Sequence, residues 1–474
     1  MSVMRLLVLI VSIVLLISNG QGLAEPRSQF NQNSLDEYVH EKDEVYECRL
    51  VRSEKADGYQ SHFIELVSQR YLTKSEVDQT DWRHLLQVVE PATVKHQTAM
   101  LMIGGGSNSD AVPSSVNELL VRYALATSSV VAELSMVPNQ PLVFRDEGKK
   151  RWEDALIAYT WDKFLTSGDS RWPARMAMTK SAVSAMDCLQ SLLPIASEKK
   201  PSKFVVAGAS KRGWTTWTTA AVDGRVSAIV PIVIDLLDVE RSFRHHWEVY
   251  GFWAPAIQDY VDMGTVEWWG TPELQALFKL VDPLSYKDRY TMPKFLVNAA
   301  GDEFFVPTSS QFYFDQLPGE KFLRYVPNAG HSLADSDALE SILAYYAAVL
   351  NDFPRPQFSW EFGSDGSIRV STKEKPSQVN LWKASNEEAR DFRKGTIGKD
   401  GWKRDRLEVL ENGDYLANIR TPEEGWSAYF VELKYETPFG IPFTFSTPVR
   451  VTPETLPFKY EPPANPRKGF LTDK

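Results

Sequence analysis

Three residues stand in an order suited to acyl transfer: Ser210 in "KFVVAGASKRGWTTWTTAA", Asp302 in "LVNAAGDEFFVP" and His331 in "LRYVPNAGHSL". A serine hydroxyl is a weak nucleophile at neutral pH. It needs a base to take its proton, an acid to orient that base, and donors for the developing oxyanion. Each of the three follows an apolar run, so each can leave the end of a strand and face a neighbouring loop. Alone, the serine can be a helix cap, the aspartate a turn residue and the histidine a packing residue; the ordered combination is much more specific. Glu303 and Asp235 are reserve acids, Asp235 lying at the end of another apolar run.

The serine turn departs from the usual pattern because Arg212 stands where a second glycine is expected, with Gly213 one residue later. Gly104-Gly105-Gly106 follows the apolar run "TAMLMI". Such a loop can bring N–H groups close without side-chain obstruction, so Gly105, Gly106 and the Lys211 N–H are the expected oxyanion donors. A phosphate loop is disfavoured, since no Lys-Ser/Thr completes it. Residues 236–290 form an aromatic-rich insert. Trp247, Trp253, Trp268 and Trp269 are expected to line an apolar pocket, with Glu248 or Glu267 engaging a polar substrate group and Arg212 shaping the pocket, binding a carboxylate, or packing its stem and salt-bridging at the surface. The same aromatics must also build the insert's own core. His245 and His246 are adjacent and the other histidines scattered, so no metal-ligand set is assigned and no cofactor is expected.

The elements that would position these groups alternate. Strand-like runs at 45–52 and 62–68 flank Asp57-Gly58, and from "TAMLMI" onward strands and amphipathic helices follow one another to Leu350. This predicts an α/β domain with a mostly parallel sheet covered by helices on both faces. Two prolines in "NDFPRPQFSW" mark a boundary. Beyond it, short apolar runs separated by Gly, Pro and charged turns predict a small β-sandwich rather than a continuation of the catalytic sheet, ending in an irregular "PPANPRKGF".

A net charge of -10 and a pI near 5.4 argue against nonspecific nucleic-acid binding. The basic start Met1–Arg5, the apolar Leu6–Ile17 and the small residues before Glu25 read as an export signal cleaved near Ala24. That apolar run is short against the roughly 20 residues a bilayer requires, so no membrane span is expected in the mature chain. Cys48 and Cys188 form either one disulfide or two buried thiols.

The segments "MVPNQP", "DALIAYTWDKF", "GASKRGWTTWTTAAVD", "GFWAPAIQDYVDMG" and "NAAGDEFFVPTSSQFYFDQLPGEKFLRYVPNAGHSL" together resemble the PhoPQ-activated pathogenicity-related protein family, within the α/β-hydrolase superfamily, from about Leu35 to Phe458. The resemblance implies a signal peptide at 1–24, an α/β-hydrolase domain at 25–352 with its insert, and an immunoglobulin- or fibronectin-like β-sandwich with tail at 353–474. It also implies an exported bacterial serine hydrolase associated with virulence, acting on a peptide or small acyl substrate, and Arg212 as part of the family's own elbow. The competing expectation is a noncatalytic envelope or receptor-binding protein on the same scaffold.

Overall fold

The computed structural model describes residues 34–192 and 200–472; the expected export signal lies outside them. The chain begins with α1 (Ser34–His40) and the hairpin β1 (Glu47–Ala56) and β2 (Tyr59–Arg70), turned at Asp57-Gly58, followed by β3 (Asp81–Pro91). The alternating part follows: β4 (Thr98–Ile103), α2 (Glu118–Thr127), β5 (Val131–Leu134), a short ribbon β6 (Leu142–Val143) and β7 (Lys150–Arg151), α3 (Glu153–Ser167), α4 (Ala174–Leu192), β8 (Lys203–Ala209), α5 (Lys211–Val222) and β9 (Val226–Ile232). The insert supplies α6 (Val239–Tyr250), α7 (Gln258–Asp262) and α8 (Pro272–Val281). The sheet resumes with β10 (Lys294–Ala299) and β11 (Lys321–Val326), then α9 (Ala338–Leu350).

These strands form one sheet in the order β1-β2-β3-β5-β4-β8-β9-β10-β11, parallel from β5 to β11. The continuous apolar runs are explained by burial on both faces. Phe204 and Val206 of β8 join the core on one face, and Val205 and Ala207 join the core on the other. Leu296 and the pair Phe295 and Val297 divide in the same way along β10. This is the expected α/β architecture, with helices on both sides of a mostly parallel sheet.

After residue 353 come β12 (Phe358–Phe362), β13 (Ile368–Thr372), β14 (Gln378–Asn386), α10 (Lys394–Ile397), β15 (Lys403–Arg406), β16 (Tyr415–Ala417), β17 (Trp426–Tyr435), β18 (Phe443–Ser446) and β19 (Arg450–Thr452). The expectation that these strands would not continue the catalytic sheet is corrected: β18 pairs antiparallel with β11, Leu323 opposite Ser446, and β17, β14 and β15 follow in order. The β11 edge would otherwise leave backbone groups unpaired, and β18, buried at every position, covers it. The three-stranded sheet β12-β13-β16 packs Ile368, Val370 and Ala417 into the same core as Tyr429, Val431 and Leu433 of β17.

Cys48 and Cys188 are disulfide-bonded, Cα–Cα 5.7 Å, tying β1 to α4. The tail is irregular, as its prolines require, but it is docked. The Phe470 ring lies 5.5 Å from that of Phe164, and the N–H groups of Leu471 and Thr472 donate to the buried Glu273. Among the described residues no helix is long and apolar enough to cross a membrane.

Candidate active site

The sheet order reverses at β4, which leads through α2 to β5 on one side while β8 pairs on its other side. A crevice opens at such a point, at the carboxyl ends of the strands. Ile103 of β4 is opposite Gly208 of β8, so the triple-glycine loop and the serine turn leave the sheet side by side.

Ser210 sits between β8 and α5 at φ 57°, ψ −124°, a backbone conformation costly for a residue with a Cβ. Its N–H donates to Ile232 O at 2.8 Å, which anchors the turn on β9. Two glycines permit the bend. A Cβ at Gly208 would lie 2.6 Å from Arg212 O, and one at Gly213 would lie 2.9 Å from Gly208 O. The close approach needed for the elbow therefore falls on 213, which frees position 212 to carry a side chain.

Asp302 and His331 emerge after β10 and β11, neighbouring parallel strands. The structure brings them together: His331 Nδ1 lies 3.0 and 2.9 Å from the two Asp302 carboxylate oxygens. Asp302 is 3% exposed and also accepts the Phe304 N–H at 2.8 Å. Glu303 accepts the backbone N–H of His331 at 2.7 Å, and the Phe304 ring lies 4.3 Å from the imidazole. His331 Nε2 is buried with no hydrogen-bond partner among the described residues. Ser210 is therefore not bonded to it in this state, as is common before substrate tightens a site. Asp235 does not reach the histidine. It accepts the Tyr313 and Tyr325 hydroxyls, each at 2.6 Å, and burial pushes its carboxyl up to about 7 despite those two donors.

On the donor side, the N–H groups of Gly105, Gly106 and Lys211 donate to no acceptor among the described residues. Arg212 holds this side together by binding a carboxylate, one of the roles expected of it. Its Nη1 and Nη2 donate to the two oxygens of Glu153 at 2.8 and 2.6 Å, and its Nε donates to Val137 O at 2.5 Å. A Cβ on Gly105 would meet the guanidinium at 2.7 Å, so the loop rests on the arginine. Lys211 Nζ also reaches Glu153, at 2.8 Å, and Asp154 at 3.0 Å. Burial alone would raise the Glu153 carboxyl, but the two cations override it and hold it at about 2. Gln140 completes the link, accepting the Glu153 N–H at 2.7 Å and donating to Gly106 O at 3.1 Å.

The other expected pocket residues separate. Trp247 and Trp253 are half-buried and pack on each other at 5.1 Å. Trp268 and Trp269 are core residues of the insert, 1% and 4% exposed, with Trp269 against Phe243 and Phe278. Glu267 is exposed and ion-paired with Arg467 of the tail at 2.7 Å. This corrects the pocket role expected of all three: Trp268 and Trp269 pack within the insert and Glu267 lies at the surface, with the tail meeting Trp268 through Gly469 and Glu267 through Arg467.

Two contributors escaped the sequence reading. Glu153 opens an amphipathic helix, where an acid is ordinary. The segment 391–402 crosses the acid and histidine loops: Lys394 N–H donates to Gly301 O at 2.9 Å, while Asn328 and Trp402 exchange two hydrogen bonds of 3.0 and 2.8 Å. Among the described residues no group of three or more His, Cys, Asp or Glu can hold a metal ion.

The sequence model described as "PhoPQ-activated pathogenicity-related protein" matches residues 35–393. A relative, autocrine proliferation repressor protein A of Dictyostelium discoideum, is 35% identical over 452 residues, covering 90% of this chain and 91% of that protein. Among solved structures, acetyl xylan esterase 1 from Thermoanaerobacterium aligns with TM-score 0.48 and 16% identity over 67% of this chain and 92% of that one. The glucuronoyl esterase from Solibacter usitatus aligns with TM-score 0.40 and 13% identity over 65% and 87%.

Proposed function

The chain belongs to the PhoPQ-activated pathogenicity-related protein family, and we propose that it is an exported serine hydrolase that cleaves an ester or amide through an acyl-enzyme. The observation carrying this reading is the buried Asp302 bonded to His331 Nδ1, with Nε2 left unpartnered and Ser210 on an elbow between two glycines. An acid on Nδ1 fixes the tautomer in which Nε2 is the base.

In the proposed reaction His331 Nε2 takes the Ser210 proton as Oγ attacks the carbonyl. Asp302 stabilises the imidazolium, and the N–H groups of Gly105, Gly106 and Lys211 receive the oxyanion. The imidazolium returns its proton to the leaving group. Water, activated by the same base, then releases the acyl group and regenerates Ser210. Ester and amide share this apparatus, so the bond preference rests on leaving-group placement.

The test is covalent labelling of the purified protein with a fluorophosphonate, with a control hydrolase alongside. The wild type should label at Ser210 and Ser210→Ala should not; failure of the wild type to label while the control does would sink the reading. A second reading is supported by the name of the Dictyostelium relative, a repressor of proliferation: an exported protein that acts by binding a receptor. Labelled wild type that hydrolyses neither ester nor peptide libraries would favour it. A family that includes a Dictyostelium protein is not confined to bacteria, so we attach export, rather than virulence, to the proposal.

A further inference from the structure

A cavity of about 700 Å³ lies between α6, the chain following the Asp302 loop and the C-terminal strands, and none of Ser210, Asp302 or His331 lines it. Arg241 and Arg244 enter it from α6, Arg390 from the segment after β14, and Arg450 from β19; Glu248, Asp315 and Glu454 are the carboxylates on its wall. Two of the arginines are neutralised in place, Arg244 by Glu248 at 2.9 Å and Arg450 by Glu454 at 2.7 Å.

The other two are not. Arg390 is 6% exposed, and its Nε and Nη1 are buried without a hydrogen-bond partner. Arg241 makes no ion pair among the described residues, and its guanidinium lies 4.6 Å from the centre of the Phe312 ring. A buried guanidinium without an acceptor costs several kcal/mol, and folded chains rarely leave one. Burial holds Arg390 down at about 10, which still leaves it charged at neutral pH. His245 on the same wall donates or accepts one bond with Thr308 at 2.9 Å, and burial with Arg390 beside it holds it at about 3, so it adds no charge. Phe312, Trp360 and Phe362 supply flat apolar faces around these groups. The volume lies within the ordinary range for small-molecule sites.

We propose that this cavity binds a small organic oxyanion, a carboxylate or phosphate carried on a ring-sized body, with Arg390 and Arg241 holding the anion and the Phe312 and Trp360 faces holding the ring. The site is separate from the hydrolytic one and does not depend on that reading. Guanidinium supplies the paired donors a planar oxyanion accepts, and aromatic walls select for a ring over a bare ion.

The experiment is titration calorimetry of the full mature chain with inorganic phosphate, benzoate and glucuronate. Saturable one-to-one binding of benzoate or glucuronate is expected, weakened about tenfold or more by Arg390→Gln and by Arg241→Gln, since each removes a charged hydrogen bond. Arg241 is exposed on α6, so its variant tests the site without placing the fold at stake. Trp360→Ala should weaken the ring-bearing anions more than phosphate, and Ser210→Ala should bind as the wild type does. Absence of saturable binding by all three anions, binding of phosphate alone, affinities unchanged in both arginine variants, or loss of binding in Ser210→Ala would each overturn the proposal.

Discussion

Arg212 grips Glu153 through two parallel hydrogen bonds of 2.8 and 2.6 Å, and so joins the serine elbow to the first turn of a helix 59 positions away in sequence. Because Gly105 rests on the same guanidinium, the Ser210 turn and the triple-glycine loop share one support.

That support yields the first prediction. Arg212→Lys keeps the charge but loses the fork, so fluorophosphonate labelling should slow by about 10- to 100-fold, the scale on which small misplacements act, with the far-ultraviolet circular dichroism unchanged. Glu153 has its folded value, about 2, below the ordinary 4.5. Its stabilising contribution is thus complete above about pH 4.5 and is lost as pH falls toward 2. Glu153→Gln should flatten that stretch of the acid-unfolding curve.

The two candidate acids separate by substitution. Asp302→Asn should cut labelling by about 10⁴-fold, because Nδ1 then faces an amide and the wrong tautomer is favoured. Asp235→Asn should leave labelling within a few-fold. Asp235 has a folded value, about 7, above the ordinary 3.8. Between those values the unfolded chain has lost a proton that the folded chain keeps, so this group lowers stability as pH rises, by up to about 1.4 kcal/mol per pH unit. The stability of Asp235→Asn minus that of the wild type should therefore climb from pH 4 to 7 and level off above. A flat difference would place the titration elsewhere.

How much of this was legible follows from what each residue needs. The strands before Gly104, Ser210, Asp302 and His331 announced themselves because a parallel sheet buried on both faces demands unbroken apolar runs, and the catalytic candidates stand directly after them. Asp302 is favoured for its glycine turn and its place before His331, but Asp235 stays in reserve because only the fold shows which carboxylate reaches the imidazole. Arg212 is expected to shape the pocket or bind a carboxylate, but which carboxylate was hidden, since its partner Glu153 is an ordinary first-turn acid and only the fold brings the two together. The joining of β11 to β18 was hidden for a related reason: "FTFS" reads as a buried strand, but which edge it covers is decided by the whole sheet. Trp268 and Glu267 were misplaced because the tail that meets them has no periodicity to read, and Trp269 because it packs on Phe243 and Phe278 within the insert's own core.

The corrected insert makes its own prediction. Trp268→Ala should destabilise the protein by about 3–5 kcal/mol in urea melts, as expected for a buried aromatic. Glu267→Ala removes an exposed ion pair and should change stability by less than about 1 kcal/mol. Neither ester turnover nor labelling should respond to Glu267→Ala; a raised KM would return it to the pocket.

The disulfide joins positions separated by 140 residues. Closing so long a loop restricts the unfolded chain, so Cys188→Ala with Cys48→Ala should cost about 2–5 kcal/mol, read as a lowered melting temperature. Labelling at low temperature should persist, because neither cysteine touches the serine, acid or histidine loops.

Asn328 tests whether the C-terminal strands serve the site. It sits at φ 57°, a left-handed conformation that asparagine tolerates and alanine does not, and it exchanges two hydrogen bonds with the Trp402 backbone just before His331. Asn328→Ala loses both the bonds and the conformation, whereas Asn328→Gly loses the bonds alone. Each bond contributes about 1 kcal/mol, so the glycine variant should be the more stable of the two by the conformational cost, about 1–2 kcal/mol. If segment 391–402 positions the histidine, labelling should slow in both variants, because both release the loop from its buttress. If Asn328→Gly labels like the wild type while Asn328→Ala only melts earlier, the C-terminal strands stabilise the sheet edge and leave the labelled site to the α/β core.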